Sequence, residues 1–358
     1  MDLMDLGWND YFAAQFAPHA ERGLVPARVV KQHRDRSVLA GGEGERAAEV
    51  SGRFRHLAVG RADYPVVGDW VAVEPGGAGP ALIQGVLPRR SAFRRKVAGD
   101  VVEAQVAAAN IDTVFLVSGL DGDFSPRRIE RYLTTAWDSG ASPVVVLNKA
   151  DLRDDLEDVI LEVEKIALGT PVVATSAVAG GRLDALQPYL LPRKTVALLG
   201  SSGVGKSTLI NRLLGEERFR TAPVIDADGR GRHTTTAREL VVLPNGALLI
   251  DTPGMRELQL WTDDESLGRS FEDIEELAVR CRFADCNHEN EPDCAVRAAV
   301  ADGALDAGRM ESYFKLRREL RFLALKQDVR ARRQADKAFG RRVATYLKDV
   351  YKHKRGFD

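Results

Sequence analysis

Apolar positions fall into two textures along this chain. Between Val25 and Val97 the stretches VPARVVKQHR, RSVLAGGEGERAAEVSGRF, PVVGDWVAVEP and ALIQGVLPRR are short β-rich runs, with alternation in DWVAV and Gly/Pro punctuation at 75–80. That pattern predicts a small antiparallel barrel of about five strands. From Ile111 onward, IDTVFLVSGL, PVVVLNKADL, PVVATSA and TVALLGSSG read as buried parallel strands, and DLEDVILEVEKIAL between them has helical spacing. ARELVVLPNGALLIDTPG carries two more strands about Pro244, Asn245 and Gly246, a hairpin signal. These elements predict an α/β domain with a mostly parallel sheet ending near Leu260. After Trp261 the strand signal stops, and 266–280 and 295–352 are spaced as helices. The division so predicted is an N-terminal segment 1–22, a barrel 23–98, an α/β domain 99–262 and a helical region 263–358.

Chemistry enters at the loops between these elements. Gly200-Ser201-Ser202-Gly203-Val204-Gly205-Lys206-Ser207-Thr208 follows the apolar TVALL and opens the helical STLINRLL. In that strand-loop-helix setting it is a phosphate-binding loop. Its glycines let backbone N–H groups turn toward a β-phosphate, Lys206 reaches the β and γ oxygens, and Ser207 offers a hydroxyl to Mg²⁺. The base is chosen by Asn148-Lys149-Ala150-Asp151 at the end of an earlier strand. Asp151 can accept from guanine N1–H and the 2-amino group, whereas adenine would leave it unpaired, a discrimination of roughly 10⁴ or more. Asn148 supports the base edge and the neighbouring loop, the Lys149 stem lies along the base, and Ser176-Ala177 completes the pocket with a backbone N–H.

Two further pieces follow the phosphate loop. Asp251-Thr252-Pro253-Gly254 ends an apolar strand, so Asp251 is expected to hold the metal through water and the Gly254 amide to sense a γ-phosphate. GRGRHTTTAREL at 229–240 offers Thr234, Thr235 and Thr236 to Mg²⁺ when the γ-phosphate is present, with Thr234 preferred from its spacing. The order along the chain is base, base, phosphate, switch, switch. Joining the usual ends of a GTPase domain and opening a surface loop produces that order with the folded site intact, so the domain is circularly permuted. Its second switch then stands directly ahead of the helical region, and movement of DTPGMREL is expected to pass to that region. Met255 follows Gly254 where Ras-like enzymes have a water-orienting glutamine. Slow intrinsic turnover with partner stimulation follows, and His233 is the candidate to position water, a solvent-exposed loop histidine being the alternative.

All three cysteines lie in CRFADCNHENEPDC, which spaces Cys281, Cys286, His288 and Cys294 as four ligands of a closed, structural zinc site. Buried free cysteines beside a chance histidine are the other reading. The net charge of −1 conceals 15 Lys/Arg against 6 Asp/Glu over 311–358, so that stretch is +9 and the remainder −10. A basic tail on an acidic protein points to a polyanion such as nucleic acid, against the plainer reading of a solvated helix. Arg89, Arg90, Arg94, Arg95 and Lys96 add a basic stretch at the end of the barrel, which is either an oligonucleotide surface or a structural connector. Hydrophobic content of 44% with 29% charged residues suits a soluble globular protein. No apolar run approaches a membrane span and MDLMDLGWND lacks a leader's apolar region, which predicts a cytoplasmic protein.

NKAD, TSA, GSSGVGKST, GRHTTT, DTPG and CRFADCNHENEPDC, in that order, resemble the bacterial small-ribosomal-subunit-dependent GTPase A family of circularly permuted ribosome-biogenesis GTPases. The likeness extends to VVGDWVAV in the barrel and to the basic helical tail. It implies an OB-type N-terminal barrel, a permuted GTPase domain and a C-terminal zinc-binding helical domain. It also implies a cytoplasmic, monomeric GTP hydrolase that binds the 30S subunit late in maturation. Hydrolysis would be slow until the subunit stimulates it, 16S rRNA would meet the barrel and zinc domain, and other assembly factors would be released. GTP-site residues carry over to 148–151 and 200–208, and zinc ligands to Cys281, Cys286, His288 and Cys294. The alternative is a GTP-gated rRNA-binding checkpoint whose hydrolysis only recycles it; a metal-delivery GTPase is disfavoured by the closed ligand set.

Overall fold

The computed structural model describes residues 2–33, 36–42, 44–77, 79–96, 104–219, 238–251, 264–322 and 324. Helix α1 (Asp10–Ala20) begins on Asn9, whose side chain accepts from the Tyr11 and Phe12 amides. Strands β1 (Val25–Gln32), β2 (Ser37–Gly41) and β3 (Gly44–Val50) follow, then the short helix α2 (Gly52–Leu57), β4 (Trp70–Val73) and β5 (Ala81–Val86). Their order β1-β2-β3-β5-β4 closes through a β1–β4 pairing, and only β3 and β5 run parallel. This is the five-stranded barrel that the alternation predicts. Helix α1 lies outside the expected elements. Its Phe12 and Phe16 pack against Trp8, just ahead of the helix, and Trp8 and Phe12 meet the fully buried Trp70, with ring centroids 4.7 and 5.8 Å away.

Strands β6 (Ala92–Lys96) and β7 (Ala104–Ala109) form a separate antiparallel pair, so the division at 98/99 falls between two strands bonded to each other. The α/β unit then runs β8 (Thr113–Gly119), α3 (Pro126–Ser139), β9 (Ser142–Asn148), α4 (Leu156–Ile166), β10 (Val172–Ala174), β11 (Thr195–Leu199), α5 (Lys206–Leu214), β12 (Arg238–Val242) and β13 (Leu248–Asp251). Its sheet has the order β10-β9-β8-β11-β13-β12, parallel except for β12. Val114 to Val117, Val144 to Leu147 and Val196 to Leu199 are buried without alternation, as a sheet covered on both faces requires.

Barrel and α/β unit share one sheet, because β1 pairs with β12 through Lys31–Glu239 and Gln32–Arg238. Behind that seam sits Arg28, 2% exposed. It donates to the carbonyls of Leu6, Gly68 (3.2 Å) and Asn110 (3.3 Å) and to the Thr195 hydroxyl (2.9 Å), and it lies over the Trp70 ring. One guanidinium thus joins the N-terminal segment, the barrel, the connector and the strand that leads to the phosphate loop. Burial pulls its pKa down to about 10, which still leaves it charged at neutral pH.

The C-terminal unit is helical, with α6 (Asp264–Ser270), α7 (Glu272–Ala278), α8 (Ala295–Ala301) and a helix over 307–322. The stretch 295–352, which is spaced as helices, is interrupted after α8, whose C-cap is Asp302. Gly303 stands there at φ +74°, the left-handed conformation that ends helices and that glycine takes without a Cβ penalty. The tail beyond 324 lies outside the described residues. Among the described residues no helix is long and apolar enough to cross a membrane.

Candidate nucleotide and metal sites

The carboxyl ends of the parallel strands β8, β9, β11 and β13 lie at one end of the sheet, where α/β proteins bind ligands. Register brings the motifs together: Gly119 pairs with Asn148, Leu199 with Leu116, and Ala197 with Ile250, which sets Asp251 beside the last residues before the phosphate loop.

Asn148 is 2% exposed and bonds to two other loops. Its Nδ2 donates to the Val204 carbonyl at 2.8 Å, inside the phosphate loop. Its Oδ1 accepts from the Ala177 amide at 3.0 Å and more weakly from the Thr175 hydroxyl at 3.4 Å. Gly205 must be glycine beside it: φ is +95°, and a Cβ would lie 2.3 Å from Asn148 Nδ2. On the far side of the loop Arg212 of α5 donates to the Ala177 and Val178 carbonyls. Asp151, exposed in a 3-10 turn, accepts from the Ser176 hydroxyl. The base motif, the Ser176-Ala177 turn and the phosphate loop therefore form one connected wall, although residues 148 and 204 are 56 positions apart.

Lys206 is buried and directs its ammonium to the Gly200 carbonyl at 2.7 Å and to the Ser201 carbonyl. Ser207 and Thr208 open α5, and Ser202 and Gly203 form the turn ahead of it. His233, Thr234, Thr235, Thr236, Gly254 and Met255 lie outside the described residues.

Three polar residues that motif reading passed over complete this end. In the loop between β8 and α3, Asp121 pairs with Lys149. Burial would raise the Asp121 pKa, but the Lys149 ammonium and the Asp123 amide outweigh it and hold the carboxyl below its usual range. Asp123 and Arg128 form an ion pair, and both reach Ser201 of the phosphate loop at 3.1 Å. Ser125-Pro126, in the loop after β8, marks the start of α3 in the sequence, but nothing local says that its first turn meets residue 201.

In the C-terminal unit, Cys281, Cys286, His288 and Cys294 bring their ligand atoms within 4.8 Å of one another. The Cys281 and Cys294 sulfurs are 3.9 Å apart, and His288 Nδ1 is 3.5 and 3.4 Å from them. A tetrahedral zinc ion with sulfur at ~2.3 Å and nitrogen at ~2.05 Å needs edges of ~3.8 Å and ~3.6 Å, so the set fits that ion. Burial and the Arg317 charge keep His288 below the usual imidazole range, hence neutral, as a ligand must be. Glu291 accepts from the amides of Asn287, Glu289 and Asn290, which hold its pKa down to about 2 and brace the turn carrying His288.

Part of the basic stretch at the barrel's end is committed internally. Arg89 makes a two-point ion pair with the buried Asp69 at 2.7 and 2.8 Å and bonds two further carbonyls.

A family model described as RsgA GTPase matches residues 86–261. The chain is 53% identical over 348 residues to the small ribosomal subunit biogenesis GTPase RsgA of Opitutus terrae, covering 94% of this chain and 95% of that protein. The crystal structure of YjeQ from Thermotoga maritima matches with a TM-score of 0.62 at 30% identity, over 83% of this chain and 98% of that one. YloQ, described as a circularly permuted GTPase, matches in fold with a TM-score of 0.58 at 24% identity, over 83% and 95% of the two chains.

Proposed function

The chain belongs to the RsgA GTPase family and is a GTP-hydrolysing enzyme of ribosome biogenesis, and from that membership we propose how its own residues serve the reaction. Residues 200–208 cradle the phosphates, Asn148, Lys149, Ala150 and Asp151 with Ser176 and Ala177 select guanine, and Gly254 reads the γ-phosphate. The observation that supports this best is the Asn148 link to both Val204 and Ala177, which assembles base and phosphate loops from a permuted order. Arriving phosphate oxygens would replace the carbonyls now around the Lys206 ammonium. Ser207, Thr234 and Asp251 would hold a magnesium ion, which neutralises charge on the β- and γ-phosphates. His233 would position the attacking water. Cys281, Cys286, His288 and Cys294 would hold one zinc ion that cross-links the C-terminal unit. The enzyme acts as a cytoplasmic monomer on the 30S subunit late in its maturation. It meets 16S rRNA through the barrel and the helical unit with its basic tail, and other assembly factors are released once the subunit is mature.

Turnover is slow alone and rises many-fold on the subunit, because Met255 supplies no water-orienting group. The test is GTP turnover with and without purified 30S subunits, with binding followed against salt. Stimulation, and a log affinity that falls by roughly 0.7 to 0.9 per phosphate contact for each log unit of salt, support the reading. Unstimulated turnover with GTP-dependent binding intact would favour the checkpoint module instead, and salt-independent binding would remove the polyanion contact.

A further inference from the structure

Helix α3 engages both halves of the molecule. At its start, Asp121 holds Lys149 of the base motif, and Asp123 with Arg128 holds Ser201 of the phosphate loop. Two residues beyond Arg128, the side chain of Glu130 is wholly buried against the C-terminal unit. Its Oε1 accepts from Arg127 at 2.8 Å and from Arg309 at 3.0 Å. Arg309, also buried, makes a two-point pair with Asp273, donates to the Ser270 carbonyl and lies over the Phe271 ring at 4.7 Å. Arg127 also reaches Asp306, and Arg131 reaches Glu319 at 2.9 Å.

A junction of this kind is a poor device for stability, since desolvating the charges offsets most of their attraction. It is also incompletely satisfied: Glu130 Oε2 is buried with no hydrogen-bond partner among the described residues, while Oε1 takes two donors. A small shift of α3 would redistribute those donors between the two oxygens. Packed interfaces with two such arrangements switch between them and do not deform continuously.

We infer that α3 is a lever: Asp123 and Arg128 are positioning residues that register the state of the phosphate loop, and the Glu130–Arg309–Asp273 junction passes it to the Cys/His unit. This rests on the guanine-nucleotide reading above. It provides a route separate from the segment after Asp251. By linkage the coupling is reciprocal, so a change at the junction must alter nucleotide preference at a site it does not touch.

The experiment uses the full-length, zinc-loaded protein. Affinities for GDP and for a non-hydrolysable GTP analogue are measured by calorimetry, and amide exchange over 264–322 is compared between the two states. In the wild type, exchange in that unit differs between nucleotides. Glu130→Gln, nearly isosteric, and Arg309→Lys, which keeps the charge but loses the two-point fork, both shrink that difference. Both also move the ratio of the two affinities by about fivefold or more. Identical exchange in the two wild-type complexes, or an unmoved ratio in both variants while both nucleotides bind, overturns the lever alone. A wild type that binds neither nucleotide overturns the nucleotide reading and the lever together. Because the wild-type exchange comparison needs no variant, misfolding of either substitution does not protect the inference.

Discussion

Truncating Asn148 to alanine tests the construction of the nucleotide wall directly. The side chain is buried and serves two backbone groups, the Val204 carbonyl at 2.8 Å and the Ala177 amide at 3.0 Å. Each such group left unpaired in the interior costs about 1 to 3 kcal/mol. Allowing for partial relaxation of the loops, Asn148→Ala should lose about 3 kcal/mol of nucleotide binding, roughly 100-fold in affinity. Asn148→Asp keeps the volume and the acceptor for Ala177 but sets a carboxylate against the Val204 carbonyl, so it should be at least as damaging. Thr175→Val removes only the partner at 3.4 Å, a distance at which little bond energy remains, and should change affinity by less than about threefold. Calorimetric titration with GDP and a GTP analogue reads all three, with thermal melting of the nucleotide-free proteins as the folding control. GDP affinity within twofold of wild type for Asn148→Ala would refute the claim that this residue joins the loops.

Asp151→Asn should move preference from guanine toward xanthine nucleotides, because the amide can donate where the carboxylate only accepts; unchanged GTP affinity and selectivity in competition binding would exclude Asp151 from base recognition. Metal analysis should find one zinc per chain, and Cys286→Ser should lose it and expose 264–322 to protease, since structural zinc supplies on the order of 10 kcal/mol to small sites. Stoichiometric zinc in that variant would remove Cys286 from the ligand set. Arg28→Met should lower stability in urea by about 3 kcal/mol or more, as hydrogen bonds from one buried charge to several acceptors are lost together; a shift below about 1 kcal/mol would show that the seam does not depend on it.

Local motifs made much of the site legible. Residues 200–208 are contiguous, so chain geometry alone places them on a strand-loop-helix turn, and the four zinc-type ligands fall within one short loop. Apolar runs likewise announced β8, β9, β11 and β13, because strands covered on both faces need unbroken apolar sequence. Arg28, Asp123, Arg128, Glu130 and Arg309 were not legible, for a physical reason. Each takes its meaning from a partner far along the chain, 167 positions for Arg28 with Thr195 and 179 for Arg309 with Glu130. An isolated charged residue in a helical pattern looks the same whether it faces water or a buried partner. Arg89 makes the converse point: a residue in a basic stretch that suggests a polyanion surface is occupied by Asp69.

The seam between β1 and β12 also decides which edges the sheet leaves open. An open sheet ends in strands whose bare amides and carbonyls invite a neighbour's strand. Here one end runs into a closed barrel, and the other ends on β10, only three residues long. Gln32 precedes Arg238 by 206 positions, and N-terminal domains fold first during synthesis. On that order a formed barrel would offer β1 as a template when β12 leaves the ribosome, and the parallel sheet would complete itself against a partner already in the same chain.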